Sequence, residues 1–238
     1  MASNIDKVRI VAQGLGELKE QVVFVGGSVA ELYADYPEIS DIRPTIDVDC
    51  VVDLQISTYL DYSNLEEKLR KLGFLDDTSE SAPICRKIFR EIIVDFMPAN
   101  TDILGFSNRW YKDGIVNKIS IILPDETHIY ILLVEYFVAT KLEALYGRGG
   151  TDIRGSYDWE DIVYILDNCS RFLNSFYQCN NCNLKKYIKG RFNNLLDNRN
   201  IHEIVYSALP YNAEEEHVDK IHTILKEICS FADIDPDV

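Results

Sequence analysis

Three aspartates lie on apolar stretches of the chain, where carboxylates are uncommon. Segment 46–50 reads Ile-Asp-Val-Asp-Cys. In a β-strand this alternation places Asp47 and Asp49 on one face and the apolar side chains on the other. Asp95 stands near the end of a second apolar stretch, residues 92–97. If the two stretches form neighbouring strands of one sheet, the three carboxylates converge.

Neighbouring carboxylates on one strand face repel each other, and no basic residue lies between Asp47 and Asp49 to offset this. A divalent cation that prefers hard oxygen ligands does offset it, and Mg²⁺, or Mn²⁺ in its place, is the expected ion. Three converging carboxylates suit two such ions about 4 Å apart, acting on a phosphate-containing ligand. The alternatives are a solvated strand face for Asp47 and Asp49, and a strand-end cap or a buried partner for Asp95.

A glycine turn precedes these aspartates in the sequence. The four apolar residues 22–25 run into Gly26, Gly27 and Ser28 and then into a predicted helix. Glycines let a backbone approach a ligand closely. Ser28 is predicted to cap the helix, whose N-terminus would attract an anion. Beside metal-binding carboxylates, such a turn predicts a site for the phosphates of a nucleoside triphosphate; the alternative is a simple corner in an α/β domain.

The elements that must position these residues form a β-rich first half and a helical second half. This order predicts an α+β protein, with a mixed β-sheet flanked by helices in residues 1–133 and a helical lobe in residues 134–238, the two sharing a cleft. The predicted strands cover 22–25, 45–54, 84–98 (as two strands), 118–124 and 127–134, and the predicted helices cover 4–20, 29–36, 62–74 (capped by Ser63 or Asn64), 134–148, 158–169, 184–197, 201–208 and 213–231.

The order of the motifs resembles that of the DNA polymerase β-like nucleotidyltransferases. In that superfamily a glycine-and-serine turn opens a helix, an Asp-x-Asp motif follows on the next strand, and a third aspartate lies on a later strand. Here the matching positions are residues 26–28, residues 47–49 and Asp95. The chain departs from the family in a longer segment between the turn and the Asp-x-Asp motif.

The second half resembles one branch of that superfamily, the AbiEii-type nucleotidyltransferases. Residues 139–166 look like the stretch in which a helix bearing a lysine is followed by a helix bearing an aspartate. The matching positions are Lys141 and Asp161, with Asp158 one helical turn earlier. In total the resemblance covers roughly residues 20–170.

The resemblance implies a Mg²⁺-dependent enzyme that transfers a nucleoside monophosphate from a nucleoside triphosphate to an acceptor hydroxyl and releases pyrophosphate. The acceptor would be RNA such as tRNA, a protein or a small molecule. AbiEii-like relatives act as toxins of toxin–antitoxin pairs, so a cognate antitoxin is an expected partner. The implied site residues are Asp47, Asp49 and Asp95 for metal binding and catalysis, Gly26, Gly27, Ser28, Arg43 and Lys141 for the nucleotide, and Lys141 with Asp161 in a catalytic role.

Three charged side chains have simpler alternatives. Lys141 either neutralises the triphosphate or is a solvated lysine on an amphipathic helix. Asp161 either orients that lysine or is an exposed charge beside Glu160. Arg43 either contacts the γ-phosphate or pairs with Asp41.

Charge and composition constrain the partners. The 238 residues carry 39 acidic and 24 basic side chains, a formal net charge of −15. This charge disfavours an extended nucleic-acid surface. It suits a cationic acceptor, so an aminoglycoside-type antibiotic nucleotidyltransferase is an alternative within the same fold. A second alternative is a non-catalytic module that binds a nucleotide or a protein, although the presence of all three aspartates argues against a decayed site.

The remaining composition indicates an ordinary globular protein. Six cysteines at irregular spacing favour a reducing cytoplasm. Cys179 and Cys182 could begin a zinc site, but no second pair of ligands follows at a convincing spacing. The apolar runs are too short to cross a bilayer, and the N-terminus mixes charged and apolar residues rather than forming a signal peptide. We therefore expect a soluble cytoplasmic protein without a membrane partner.

Overall fold

The computed structural model describes residues 3–52, 58–105, 107–147 and 152–231. The chain forms two compact units. The first comprises Met1–Glu31 and Ile42–Leu133, and the second comprises Leu32–Asp41 and Val134–Val238. Residues 53–54 of the predicted strand 45–54 and residue 148 of the predicted helix 134–148 lie outside the described residues.

Within the described residues, the first unit contains a seven-stranded mixed sheet, so the predicted α+β class is confirmed. The strands are β1 (Val22–Val25), β2 (Asp47–Val52), β3 (Leu75–Asp76), β4 (Arg86–Phe89), β5 (Ile92–Pro98), β6 (Ile119–Ile122) and β7 (His128–Ile131). Their order in the sheet is β3-β4-β5-β2-β1-β7-β6. β2 pairs with β1 antiparallel and with β5 parallel, β5 pairs with β4 antiparallel, and β7 pairs with β1 parallel.

Hydrophobic periodicity explains why the central strands lie where they do. All four residues of β1 are buried, as expected for a strand covered on both faces. In β2, by contrast, Val48 and Cys50 are fully buried while Asp47 and Asp49 are half-buried. The period-two pattern of β2 therefore directs both carboxylates to one face of the sheet and Val48 and Cys50 to the other.

In the part of the unit that the structure describes, the sheet is accompanied by the α-helices α1 (Asn4–Leu15), α2 (Tyr59–Lys71), α3 (Thr101–Leu104) and α4 (Tyr111–Val116). A capping box begins α2: the Thr58 hydroxyl accepts the backbone N–H of Asp61, and the Asp61 carboxylate accepts the backbone N–H of Thr58. The predicted cap at Ser63 or Asn64 is therefore wrong, because α2 begins several residues earlier. Gly73 lies two residues after the end of α2 and has a φ of +91°.

Two predicted helices of the N-terminal region take a tighter form. α1 ends at Leu15 and continues as a 3₁₀ helix over Gly16–Gln21 rather than as an α-helix to residue 20. The segment after the glycine turn is a 3₁₀ helix over Gly27–Tyr33, instead of the α-helix predicted for residues 29–36. The second difference matters for the site, since the 3₁₀ helix includes the glycine turn itself.

The second unit is helical, with α5 (Val134–Gly147), α6 (Tyr157–Asn168), α7 (Phe172–Gln178), α8 (Cys182–Leu196), α9 (Ile201–Tyr206) and α10 (Glu215–Ser230). Helix α5 is central, because nearly every residue in its first two turns is buried and it packs against α6, α7 and α8. Trp159 of α6 is fully buried and donates its indole N–H to the carbonyl of Ile204 at 2.9 Å.

The short segment Leu32–Asp41 belongs to this helical unit. The Tyr33 ring lies 4.9 Å from the ring of Phe137, and the backbone N–H of Asp35 donates to the carbonyl of Asn168 at 2.9 Å. These contacts tie the residues after the glycine turn to α5 and α6. No helix in the described ranges has both the length and the apolar character that crossing a membrane would require.

A buried acidic side chain in the helical unit is hydrogen-bonded by a serine hydroxyl. Glu135 is 3% exposed, and its carboxylate accepts a hydrogen bond from the Ser175 hydroxyl. Burial raises the pKa of Glu135 above its ordinary value of 4.5, and the bond from Ser175 lowers it by less. The folded protein therefore holds this proton to a higher pH than the unfolded chain does.

We expect Glu135→Gln to stabilise the protein at neutral pH. A raised folded-state pKa gives stability that is fully present below about pH 4.5 and is lost as the pH rises through the folded value. The glutamine does not titrate and still offers an acceptor to Ser175. The free energy of unfolding of the variant relative to wild type should therefore increase from pH 4 to pH 7, measured by urea denaturation. Glu38→Gln, at an exposed position of the same unit, should show no such trend, and a flat difference for Glu135→Gln would contradict the pKa shift.

Candidate metal centre

The register of two parallel strands brings the three carboxylates together. In the β2–β5 ladder Asp49 lies opposite Asp95, and Asp47 lies two residues earlier on the same face of β2. One carboxylate oxygen from each of the three residues lies within 4.8 Å of those of the other two. The expectation that the two aspartate-bearing strands are neighbours is therefore confirmed.

The cluster is graded in its access to solvent. Asp95 is 8% exposed, whereas Asp47 and Asp49 are half-buried. On the opposite face of β2, the Cys50 thiol is fully buried, and burial above all raises its pKa, with smaller contributions from the charges of Asp49 and Asp95. Cys50 is therefore a core thiol, and the carboxylates lie on the other face of the sheet.

The glycine turn packs directly onto the cluster. Gly26 has a φ of +73°, which L-residues rarely adopt. A Cβ atom at this position would lie 2.0 Å from Oδ2 of Asp49 and 2.9 Å from its Cβ. Gly26 follows Val25, which pairs with Asp49 across the β1–β2 ladder. A glycine is thus required here on two grounds, the backbone conformation and the space taken by Asp49.

Ser28 has a different local role from the predicted one. It lies inside the 3₁₀ helix that begins at Gly27, and it is fully buried. Its hydroxyl donates to the carbonyl of Val25 at 3.4 Å, so it closes the turn rather than capping an α-helix. The assignment of Gly26, Gly27 and Ser28 to phosphate binding stays a prediction.

An arginine that the sequence analysis did not select contacts two of the three carboxylates. Arg86 pairs with Asp95 across the antiparallel β4–β5 ladder. Its Nε donates to Asp95 Oδ1 at 2.8 Å and its Nη2 to Asp95 Oδ2 at 2.7 Å, while Nη2 lies 3.5 Å from Asp47 Oδ2. The hydrogen bonds that Arg86 donates to Asp95 raise the pKa of the guanidinium above its ordinary value. The buried-partner alternative for Asp95 is therefore confirmed.

The pairing of Arg86 with Asp95 follows from the position of the hairpin turn between β4 and β5. In a hairpin whose two-residue turn is Arg90-Glu91, positions equidistant from the turn face each other, and this sets Arg86 opposite Asp95. Arg90 and Glu91 both have positive φ, at 47° and 67°. Such turns usually carry asparagine or glycine, so the centre of the hairpin could not be read from composition.

Arg43 and its surroundings leave its predicted role open. The side chain is half-buried, and the backbone carbonyl of Arg43 accepts a hydrogen bond from Asn4 Nδ2 at 2.9 Å. The Asn4 Oδ1 in turn accepts the backbone N–H of Thr45 at 2.9 Å. These bonds fix the backbone that leads into β2. Both interpretations of the Arg43 guanidinium, as a partner of Asp41 and as a phosphate contact, stay predictions.

In the helical unit, Lys141 forms a buried ionic cluster. Lys141 is 8% exposed, Asp158 3% and Asp161 2%. The lysine Nζ lies 2.6 Å from Asp161 Oδ2 and 3.3 Å from Asp158 Oδ1. The two aspartates face α5 together because they are three residues apart on α6. The interpretations of Lys141 as a solvated lysine and of Asp161 as an exposed charge are wrong, and the predicted pairing of the two is confirmed.

No protein-family model matches the chain, and no curated protein matches it at the threshold for significance. Membership of the polymerase β-like superfamily is therefore a prediction. The structure itself shows a mixed α+β fold with three neighbouring aspartates on its sheet.

The donor set fits a hard divalent cation. Among the described residues, Asp47, Asp49 and Asp95 form the one group of three metal-ligating side chains with ligand atoms this close. All three ligands are carboxylate oxygens, which Mg²⁺ and Mn²⁺ accept and which softer ions such as Zn²⁺ favour less. The cluster could thus hold Mg²⁺ without any rearrangement of the strands.

We expect Gly26→Ala to cost more stability than the backbone conformation alone explains. Gly105→Ala is the matched control: its φ is +77°, and no atom of the described chain lies within 4 Å of an added Cβ. Both variants bear the cost of positive φ, but only Gly26→Ala must also displace Asp49. The free energy of unfolding should fall by about 1–3 kcal/mol more for Gly26→Ala, in the range of other overpacked sites. Equal losses would show that Asp49 does not need the space.

The buried cluster in the helical unit predicts an order of stabilities. Lys141→Met removes the ammonium that faces both Asp158 and Asp161, and breaking a buried ion pair in this way costs roughly 3–5 kcal/mol. Asp158→Asn leaves one lysine and one aspartate in formal balance, so it should cost about 1 kcal/mol. Urea denaturation of the two variants at neutral pH measures the difference. A negligible loss for Lys141→Met would contradict the burial of this cluster.

Proposed function

We propose that the protein is a Mg²⁺-dependent nucleotidyltransferase that transfers a nucleoside monophosphate from a nucleoside triphosphate to an acceptor hydroxyl. The observation that carries the proposal is the convergence of Asp47, Asp49 and Asp95 on neighbouring strands, with the Gly26 turn packed against Asp49. The motif order in the sequence supports it, because the same three elements define the resemblance to the polymerase β-like transferases.

Each residue of the centre has a separable part in this proposal. Asp47 and Asp49 would hold the ions from their half-exposed positions, and Asp95 would complete the set from the buried side. Bound metal would polarise the phosphate and favour deprotonation of the acceptor hydroxyl. Asp95 would help to remove that proton once its oxygens are released from Arg86.

The glycine turn has a defined part as well. Because Gly26 has no side chain, its backbone approaches the Asp49 carboxylate closely. A triphosphate bound to ions on Asp49 would meet this backbone directly, and backbone N–H groups are suitable donors to phosphate. The proposal assigns the phosphates to the N–H groups of Gly27 and Ser28, since the Ser28 hydroxyl is already bonded within the turn.

The net charge of −15 is the observation that bears on the acceptor. A cationic small molecule of the aminoglycoside type suits this charge better than an extended RNA surface does. A role as the toxin of a toxin–antitoxin pair rests on the AbiEii resemblance. A non-catalytic binding module is the second candidate, and the observation that favours it is the Arg86 guanidinium already bonded to Asp95.

We expect Asp47→Asn and Asp49→Asn to abolish transfer while the fold persists. Purified protein is incubated with α-³²P-labelled nucleoside triphosphates, Mg²⁺ or Mn²⁺, and a panel of acceptors that includes tRNA, aminoglycosides and the protein itself. Losing a ligand should lower the rate by more than the roughly 100-fold that loss of an outer-sphere partner costs. Each variant also removes one repelling charge, so its melting temperature in chelator should equal or exceed that of wild type.

Asp102→Asn serves as the control, because Asp102 is exposed on α3 in the same unit. It should transfer label at the wild-type rate. Wild-type turnover in either Asp47→Asn or Asp49→Asn would contradict the metal assignment. Absence of labelled product from the wild-type protein with every acceptor, combined with metal-dependent nucleotide binding, would favour the non-catalytic module.

A further inference from the structure

The contact between Arg86 and Asp95 occupies the atoms that a metal ion would need. Both Asp95 oxygens accept a guanidinium N–H, at 2.8 Å and 2.7 Å. This is the bidentate geometry in which arginine binds carboxylates most strongly. A divalent ion coordinates a carboxylate through the same oxygens. The arginine and the ion therefore compete for Asp95.

The formal charges of the cluster also indicate that the arginine and a metal ion compete. Asp47, Asp49 and Asp95 carry a formal charge of −3, and the Arg86 guanidinium reduces it to −2. That remainder matches a single divalent ion held by Asp47 and Asp49. A second ion that also used Asp95 would bring the total with Arg86 in place to +2, whereas with the guanidinium withdrawn it would be +1. Full metal loading thus favours departure of the arginine.

The position of Arg86 allows such a departure. Its side chain is 24% exposed, so the guanidinium has solvent beside it. The backbone of β4 is held on both sides, by β3 and by β5. Withdrawal is therefore a change of side-chain rotamer with the strand left in place, and the freed cation stays tethered near the cluster.

We propose that Arg86 is the internal counter-cation of the acidic cluster in the metal-free protein, and that a divalent ion ligating Asp95 displaces it. The inference rests on the proposed metal site. It follows that Arg86 lowers the affinity of the cluster for metal below what three carboxylates alone would give. It also follows that Arg86 stabilises the protein before metal arrives, by offsetting carboxylate repulsion.

The experiment compares wild type, Arg86→Met and Arg70→Met. Arg70 is the matched control, because its Nε donates to Asp76 Oδ2 at 2.8 Å elsewhere in the same unit. Mn²⁺ affinity is measured by electron paramagnetic resonance of the free ion, and melting temperature is measured in chelator and in Mn²⁺. Arg86→Met should bind Mn²⁺ about tenfold or more tightly, the factor that 1.4 kcal/mol of released competition gives. It should melt lower in chelator and recover in Mn²⁺, and Arg70→Met should show neither a gain in affinity nor this recovery.

The wild-type protein supplies a second measurement that does not depend on the variant folding. In ¹⁵N-labelled protein the Arg86 Nε–H signal should shift on addition of Mg²⁺ as its bond to Asp95 is lost. The Arg70 Nε–H signal should stay in place and serves as the internal reference. A shift of the Arg86 signal alone supports displacement.

The outcomes separate the inference from the proposal beneath it. If wild type binds Mn²⁺ and Arg86→Met binds it equally or more weakly, Arg86 does not compete and the inference is overturned while the metal site stands. An Arg86 Nε–H signal unmoved at saturating Mg²⁺ overturns it in the same way. If neither wild type nor Arg86→Met binds Mn²⁺, the metal site is absent, and the inference and the proposed function are overturned together.

Discussion

The mutual repulsion of three carboxylates held on a hydrogen-bonded ladder is the constraint that shapes the first unit. Asp47, Asp49 and Asp95 cannot move apart, because the β2–β5 register fixes their backbones. Two neighbouring residues offset this repulsion or leave space for the carboxylates. Arg86 supplies a positive charge from the next strand, and Gly26 gives Asp49 the space that any other residue would fill. A bound divalent ion would complete the balance.

The same register also secures the core, so site and stability are not independent. Val48 and Cys50 on β2, with Val94 and Phe96 on β5, are all fully buried. A slip of either strand by one residue would bury carboxylates and expose this apolar face. The free energy of the apolar face therefore holds the carboxylates in place against their repulsion. Loss of packing on the apolar face would therefore disturb the positions of the carboxylates on the other face.

The sequence predicted best the parts of this arrangement that depend on residues close together in the chain, and it did not predict some of the contacts between more distant residues. Period-two alternation located β2, and with it the shared face of Asp47 and Asp49, because strand periodicity is local. The Arg86–Asp95 pair could not be placed, because the turn at Arg90-Glu91 lacks the usual turn residues. The start of α2 was missed although Thr58 and Asp61 form a recognisable capping box. The burial of Lys141 needed the packing of α5 against α6, which no local pattern encodes.

The two ionic clusters differ in the one respect that decides what each can do. Asp47 keeps 34% of its side chain exposed, so a cation from solvent can reach the first cluster. The Asp161 side chain is only 2% exposed, and its positively charged partner is Lys141 of the same protein. Asp158 adds a further carboxylate to this second cluster, 3.3 Å from the lysine Nζ. For Lys141 to neutralise a triphosphate, its ammonium would have to leave a carboxylate that now holds it. The geometry therefore favours Lys141 as an internal stabiliser of the helical unit, and the proposed metal site lies on the sheet.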